Sequence, residues 1–584
     1  MNENSIKILY IFAFISILCA LIVIICTPAA NSYEISIYSA FPWFFWVFLI
    51  FPICIGLASV VQFANSQNKS HLWIIGILMI LLSNFIVLTL QLSRGYALYG
   101  NGDTLSHIGY IKDIFYNGHI SIQSYYPVFH VLISMLSSIS SISYMNLILC
   151  FPAVFSVVYT ILIYILAKKL FNKKFTVMIA VALGSILLLM GYHTYFSVNA
   201  LTLFIFPLIL YLIVSNFKER KASYSLLITI FFIWLVFAHM LVATFMLIIL
   251  ISIPIWKYLY NAKINNKEDS KVPTKEAILL LLISIIVWFS YTSIWGSTIR
   301  NIFNWMQGEI AYTPMADLSN VVVKLNFYEI ISLIIKLYGG YILIGIVCVI
   351  GLFFVLKKIK KVSWDEFFVF GLLFFIFPLL ILLFFAPASG VDFLRPLRFL
   401  SVPLCLFGAL SIYYISNIKK LKPITKNSII ILVLIIPAVI GIFNVHTSPF
   451  IMQPNQQVTA AEISGMEFYF NEKDPNIKTM GINSRYRFSF LIYGYSEGDQ
   501  RLKKYLDFPE LINTYYVGDH FENISTIKYP RYVVFSKSDQ LLYTQVWKTN
   551  RFTNEDFKNI ENESYLDYVY SNGDLKVFYY LPTK

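Results

Sequence analysis

Asp103 and His107 stand four positions apart in the run Gly100-Asn101-Gly102-Asp103-Thr104-Leu105-Ser106-His107. On a helix that spacing puts a carboxylate and an imidazole on one face, a turn apart. Such a carboxylate can take the proton from an attacking hydroxyl. The imidazole can orient it or, when protonated, hold a phosphate. The run follows a long apolar segment and precedes Tyr125-Tyr126-Pro127-Val128-Phe129-His130. Acids are costly to place at the edge of a membrane, so Asp103 is a functional candidate by position alone. Asp is also a favoured helix N-cap, and the two roles are compatible.

Of 584 residues, 58% are hydrophobic and only 13% are charged. Apolar runs of roughly 20 residues, each enough to cross about 30 Å of hydrocarbon, recur through the first three quarters of the chain. The fold class is therefore a polytopic α-helical membrane protein. A transmembrane β-barrel would show short alternating segments instead. The net charge is +13, and the excess of Lys and Arg lies wholly before His446, in short loops between apolar runs. That is the positive-inside signature, and no nucleic-acid partner is expected. Cys19, Cys26, Cys54, Cys150, Cys348 and Cys405 all fall in or beside apolar segments. They read as small hydrophobes, not as a disulfide framework or a zinc site.

Charge also orients the chain. The basic loops at Lys168–Lys174, Lys218–Lys221, Lys257–Lys275, Lys357–Lys361 and Lys419–Lys426 are placed in the cytoplasm. Threading through them gives about 13 transmembrane helices: 8–27, 40–62, 72–92, 145–167, 175–191, 199–215, 223–238, 240–257, 276–296, 331–356, 366–385, 397–416 and 427–445. The N-terminus is then cytoplasmic and the C-terminal region extracytoplasmic. The segment Tyr126–Ile142 is apolar enough to pass for a crossing, but crossing there would turn every later basic loop outward. Residues 93–144 are thus expected to form one long external loop carrying two helices on the membrane surface. The first, Thr104–Tyr116, has an apolar stripe of Leu105, Ile108, Ile111 and Phe115 and ends at Gly118. The second begins at Pro127.

Three parts follow: extra N-terminal helices in 1–71, a transmembrane core in 72–445 and an outer domain in 446–584. In the outer domain Ile477–Ile482 and Arg531–Phe535 read as strands. Asp567–Leu581 reads as a hairpin around Asn572-Gly573, and Val458–Phe470 as an amphipathic helix. This is a small α/β domain, and it shows no nucleophile motif, phosphate loop or metal cluster.

The residues with chemistry gather on the outer face: Asp103, His107, His130, His193, His239, Trp305, Glu309, Asp392, Arg395 and Arg398. Arg395 and Arg398 lie three apart at the outer end of a crossing, where a guanidinium pair suits bidentate phosphate binding. Snorkelling to lipid headgroups would place them equally well.

An apolar anchor, an external loop with an Asp near its start, a Tyr-Pro surface helix and a crossing ending in Ala167-Lys168-Lys169-Leu170 resemble the GT-C class of integral membrane glycosyltransferases. Protein mannosyltransferases, aminoarabinose transferases and oligosaccharyltransferases belong to that class. Arg395-Pro396-Leu397-Arg398-Phe399 is similar to the Arg-bearing loop common there. This chain departs from the class by its two extra N-terminal crossings, by a single acid where relatives carry a pair, and by the lack of a Trp-Trp-Asp-type motif.

The resemblance implies transfer of a hexosyl or pentosyl group, with inversion, from a polyprenyl-phosphate sugar donor in the lipid bilayer. The acceptor would be a glycan, a lipid-linked saccharide or a protein. Asp103 is then the general base with His107 beside it. Arg395, Arg398 and His239 are candidates for the donor phosphate, and Tyr126, His130, His193, Trp305 and Glu309 for substrate contact. The resemblance assigns no certain cofactor, and a divalent cation, Mg or Mn, is left open. The rival reading is a transporter or flippase of lipid-linked saccharides. Such proteins usually show repeated halves or midplane charges, and neither is evident here.

Overall fold

The computed structural model describes residues 3–65, 71–264, 275–292, 325–357, 362–373, 394–418, 422–483, 485–504, 517–522 and 524–582. Trp305, Glu309 and Asp392 lie outside the described residues, as does the side chain of Arg395.

Seven described helices are long and apolar enough to cross a membrane: Glu3–Cys26 (α1), Trp43–Asn65 (α2), Tyr144–Leu170 (α7), Val198–Glu219 (α9), a 23-residue stretch from Met240 in Met240–Ile264 (α11), Phe327–Lys357 and Pro423–Ile442. Shorter apolar helices fill other expected crossings: Leu72–Leu88 (α3, extended by Leu90–Ser93, α4), Lys174–Gly184 (α8), Ala222–Ala238 (α10), Lys275–Tyr291 (α12) and Ser401–Ser416. The chain is a multi-pass membrane protein.

The expected crossing at 175–191 differs from its expectation. It is helical for only 11 residues, in α8. It then runs as buried irregular chain to the 3-10 turn Met190–His193. Irregular backbone at membrane depth needs partners inside the protein. Here Thr160 Oγ1 donates to the Gly184 carbonyl (3.1 Å) and Asn84 Nδ2 to the Ser185 carbonyl (2.7 Å). Both donors come from other helices, so the run of apolar residues around the break reads as plain helix.

The two helices expected in residues 93–144 are present as Asp103–Asn117 (α5) and Pro127–Ser140 (α6). α6 has 14 residues, about 21 Å. Gly118 closes α5 at φ 70°, a left-handed cap suited to glycine. Leu105, Ile108 and Ile111 are buried and form the inner stripe, whereas Phe115 is exposed.

The two ends of the bundle carry different charge. At one end Lys169 and Lys221 pair with Glu219, the latter at 2.7 Å, and Lys218 pairs with Asp365 at 2.7 Å. These are the basic loops of the sequence. The other end carries the outer domain.

In that domain β3 (Lys478–Met480), β4 (Arg531–Ser536), β5 (Leu566–Ser571) and β6 (Leu575–Tyr580) form a sheet in the order β3-β4-β6-β5. β3 runs parallel to β4, and the remaining pairs are antiparallel. The expected amphipathic helix spans Ala460–Glu472. A two-stranded ladder ties the external loop to the domain: β1 (Leu98–Tyr99) pairs with β2 (Gln457–Val458). The α1–α2 connection joins them, with Tyr33 donating to the Asn455 carbonyl at 2.7 Å.

The helices Phe488–Tyr493 and Tyr495–Lys504 dock along α5. Lys112 Nζ donates to the Ile492 carbonyl (3.0 Å), and buried Asp113 accepts from the Ser496 amide (3.1 Å) and hydroxyl (2.7 Å). Gly109 permits the approach: a Cβ there would meet Phe490 Cβ, the Phe490 carbonyl and the Tyr495 amide, each at 3.0 Å. Gly109→Val is therefore expected to overpack this seam at a cost of about 1–3 kcal/mol. The check is limited proteolysis in detergent. Cleavage of the outer domain should accelerate, and an unchanged rate would count against the seam.

Candidate functional site

Where α5, α6, the α9 start, the α10–α11 corner and the outer domain meet, they enclose a cavity of about 840 Å³. Asp103, His107, Tyr126, His130, His239 and Arg398 all line it. Six residues drawn from four separate stretches of sequence thus face one space.

Asp103 occupies the first turn of α5. Gly102 is the N-cap, and no side chain caps the helix. The Asp103 carboxylate instead forms an ion pair with Arg487 of the outer domain, which comes from 384 positions away. Arg487 also reaches Ser106 Oγ at 3.5 Å, and its Nε donates to Tyr486 Oη at 3.1 Å. Sequence reasoning missed Arg487. Its only local signal is an aromatic neighbour in a polar stretch.

His107 Nδ1 lies 3.1 Å from His130 Nε2, and His130 Nδ1 lies 3.1 Å from Ser124 Oγ. One ring must donate where the other accepts, so the two imidazoles cannot both carry two protons. Burial pushes His107 down to about 4. Arg487 presses the same way, and the Asp103 charge opposes it. His130 is held well below its ordinary value by burial and by His107. Both rings are neutral at pH 7.

A histidine neutral in the fold and free to charge when unfolded stabilises above its unfolded value of 6.5. That stability is lost as pH falls through about 4. The melting temperature in detergent should drop across this window, and less steeply in His107→Gln. Parallel curves would remove His107 as the cause.

Arg398 sits at the end of the short helix Leu394–Phe399. It is buried, with its guanidinium 3.8 Å from the Tyr192 ring centroid. Asn199 Nδ2 holds the Tyr192 hydroxyl at 2.7 Å. Phe399 stacks on Phe245 with centroids 4.0 Å apart, which fixes the turn that carries Arg398.

His239 is a single extended residue between α10 and α11, with φ −168° and ψ 118°. Its ring stacks on Tyr126 at 4.6 Å. His193 does not line the cavity. Its Nε2 accepts from the Leu189 amide (3.2 Å), so Nδ1 carries the proton and donates to Ser156 Oγ (2.8 Å). It braces the irregular chain that presents Tyr192.

Among the described residues no three His, Cys, Asp or Glu side chains converge. Asp103 is paired with Arg487, and the two histidines with each other. A divalent cation meets no preformed ligand set among these residues.

No family model matches the chain, and no curated protein matches it. Solved structures do. An oligosaccharyltransferase from Archaeoglobus fulgidus, tethered to an acceptor peptide with an NVT sequon, aligns at 13% identity and TM-score 0.46, over 88% of this chain and 74% of its own. ArnT from Cupriavidus metallidurans bound to undecaprenyl phosphate aligns at 9% identity and TM-score 0.46, over 87% and 98%. The same protein in its apo state gives 10% and 0.36 over 87% and 97%. Both proteins fall in the GT-C class that the sequence motifs resemble. At such scores the chemistry has to come from the residues of this chain.

Proposed function

We propose that this protein is a membrane glycosyltransferase that moves a sugar from a polyprenyl-phosphate donor to an acceptor hydroxyl at the extracytoplasmic face. The observation that carries this reading is the pairing, on one large cavity at the outer-domain end of the bundle, of an exposed carboxylate with a buried guanidinium. Asp103 and Arg398 both line that space. An isoprenoid tail stays in lipid while its phosphate sits at headgroup depth, which is where a cavity at the end of the helices opens.

Asp103 takes the proton of the acceptor hydroxyl as its oxygen attacks the anomeric carbon. Arg398 neutralises the phosphate as the glycosidic bond breaks. The outer domain covers the space and limits attack by water. His239 and Tyr126, stacked on each other, line the same space, and Arg395 is assigned to the same phosphate. The neutral His107–His130 pair positions the α5 face. The basic ends of the helices support a cytoplasmic N-terminus.

The test supplies purified protein with a panel of labelled polyprenyl-phosphate sugars, with and without EDTA. Slow consumption of one donor, with water standing in for the acceptor, is expected. Loss of turnover in EDTA would assign a metal requirement. Donor that is bound but left unconsumed, and moved across a liposome bilayer, would replace this reading with that of a flippase.

A further inference from the structure

Two guanidinium groups line the cavity: Arg398 from the helix bundle and Arg487 from the outer domain. One phosphate leaves in the transfer reaction, and buried Arg398 is the group assigned to it above. Arg487 is on the side from which the acceptor arrives. In this structure it is spent on Asp103.

A carboxylate bound to a guanidinium is a poor proton acceptor, so the base must be released before it can act. Release leaves Arg487 as a cation that needs a new partner. Its side chain is only 30% exposed, against 61% for Asp103. The pair itself is weak enough to exchange, because ion pairs this open to solvent are worth little. Arg487, in turn, stays in place: the contacts of Lys112, Asp113 and Gly109 fix the adjoining helices along α5.

We propose that the acceptor is anionic and that its phosphate or carboxylate group takes Arg487 away from Asp103. Acceptor binding then frees the base. The acceptor hydroxyl oxygen bonds to the anomeric carbon, and the bond from that carbon to the phosphate oxygen breaks. The electron pair leaves with the polyprenyl phosphate, and the hydroxyl proton goes to Asp103. Without an anion, the ion pair restrains wasteful hydrolysis of the donor. This inference rests on the transferase reading and adds the acceptor class to it.

The test uses water as the acceptor, so no acceptor need be known. Donor hydrolysis is measured on the full chain at saturating donor, with methyl phosphate, acetate or methanol added. In the wild type, methyl phosphate or acetate should raise hydrolysis about two- to five-fold, the factor that about 0.5–1 kcal/mol represents. Methanol should not. Whichever anion acts more strongly identifies the acidic group. Arg487→Ala should start at the raised rate and ignore both anions, and Arg487→Lys should respond partly. Matching melting temperatures establish that the variants are folded. Hydrolysis that ignores anions in the wild type, or Arg487→Ala that is no faster than wild type, overturns the inference and leaves the transferase reading intact. Donor untouched under every condition sinks both.

Discussion

Asp103→Asn should lower sugar transfer by about 10²–10⁴-fold, the contribution of a positioned general base. Asparagine keeps the size of the side chain and can still accept a hydrogen bond from Arg487, so the docking of the outer domain should survive. What it cannot do is take a proton. Donor affinity should therefore change little if the phosphate is held by Arg398, a separate residue of the cavity lining. The measurement is transfer rate beside donor binding, with the melting temperature as a check on folding. A loss in rate alone supports Asp103 as base. A matching loss in binding would make it a donor contact. Full activity would move the role to an acid outside the described residues, Glu309 or Asp392.

His107 is the nearest competitor for this proton, and the two can be separated. Its ring lines the same cavity but already shares its Nδ1 with His130 at 3.1 Å. An attacking hydroxyl would have only Nε2 to reach. His107→Gln should thus keep more activity than Asp103→Asn. The reverse order would make the imidazole the base and Asp103 its orienting partner.

The surface helices could be read from sequence because their signals are local. An apolar stripe, a glycine stop and a proline start act over a few residues, and charge alone kept α6 from being taken for a crossing. The hairpin of Leu566–Ser571 and Leu575–Tyr580 was legible for the same reason, since an Asn-Gly turn marks it without help from the rest of the chain. Asp103 and His107 could be singled out because acids and histidines beside apolar runs are scarce.

The remainder was set by contacts that sequence does not carry. Arg487 becomes part of the site only through the docking of two outer-domain helices on Gly109, Lys112 and Asp113. Asp103 was an equally good cap in sequence, but Gly102 holds that place and the Asp103 carboxylate pairs with Arg487. The helix break after Gly184 depends on Thr160 and Asn84 from neighbouring helices. His193 was grouped with the site because it shares the outer face. It is in fact one layer behind, under Tyr192, where a loop-level reading of position cannot separate lining from support.

That layering bears on the second large effect. Arg398→Ala should cost about 10²–10³-fold in turnover, comparable to removing one preorganised donor from a site of developing negative charge. The guanidinium is buried and braced on the Tyr192 ring at 3.8 Å, so it is oriented before the donor arrives. Lysine cannot reproduce that plane, because its ammonium is a point charge that neither stacks nor offers two parallel N–H groups. Arg398→Lys should therefore restore only a small part of the loss, whereas a simple headgroup-snorkelling role would tolerate lysine fully. Tyr192→Leu and His193→Ala act at one remove. Each should lower turnover more modestly while leaving the charge in place. Donor affinity and turnover should fall together in Arg398→Ala if the contact forms with the bound donor, and turnover alone if it tightens only as the bond breaks. Unchanged turnover in Arg398→Ala would pass the phosphate to Arg395, which lies one helical turn earlier in the same short helix.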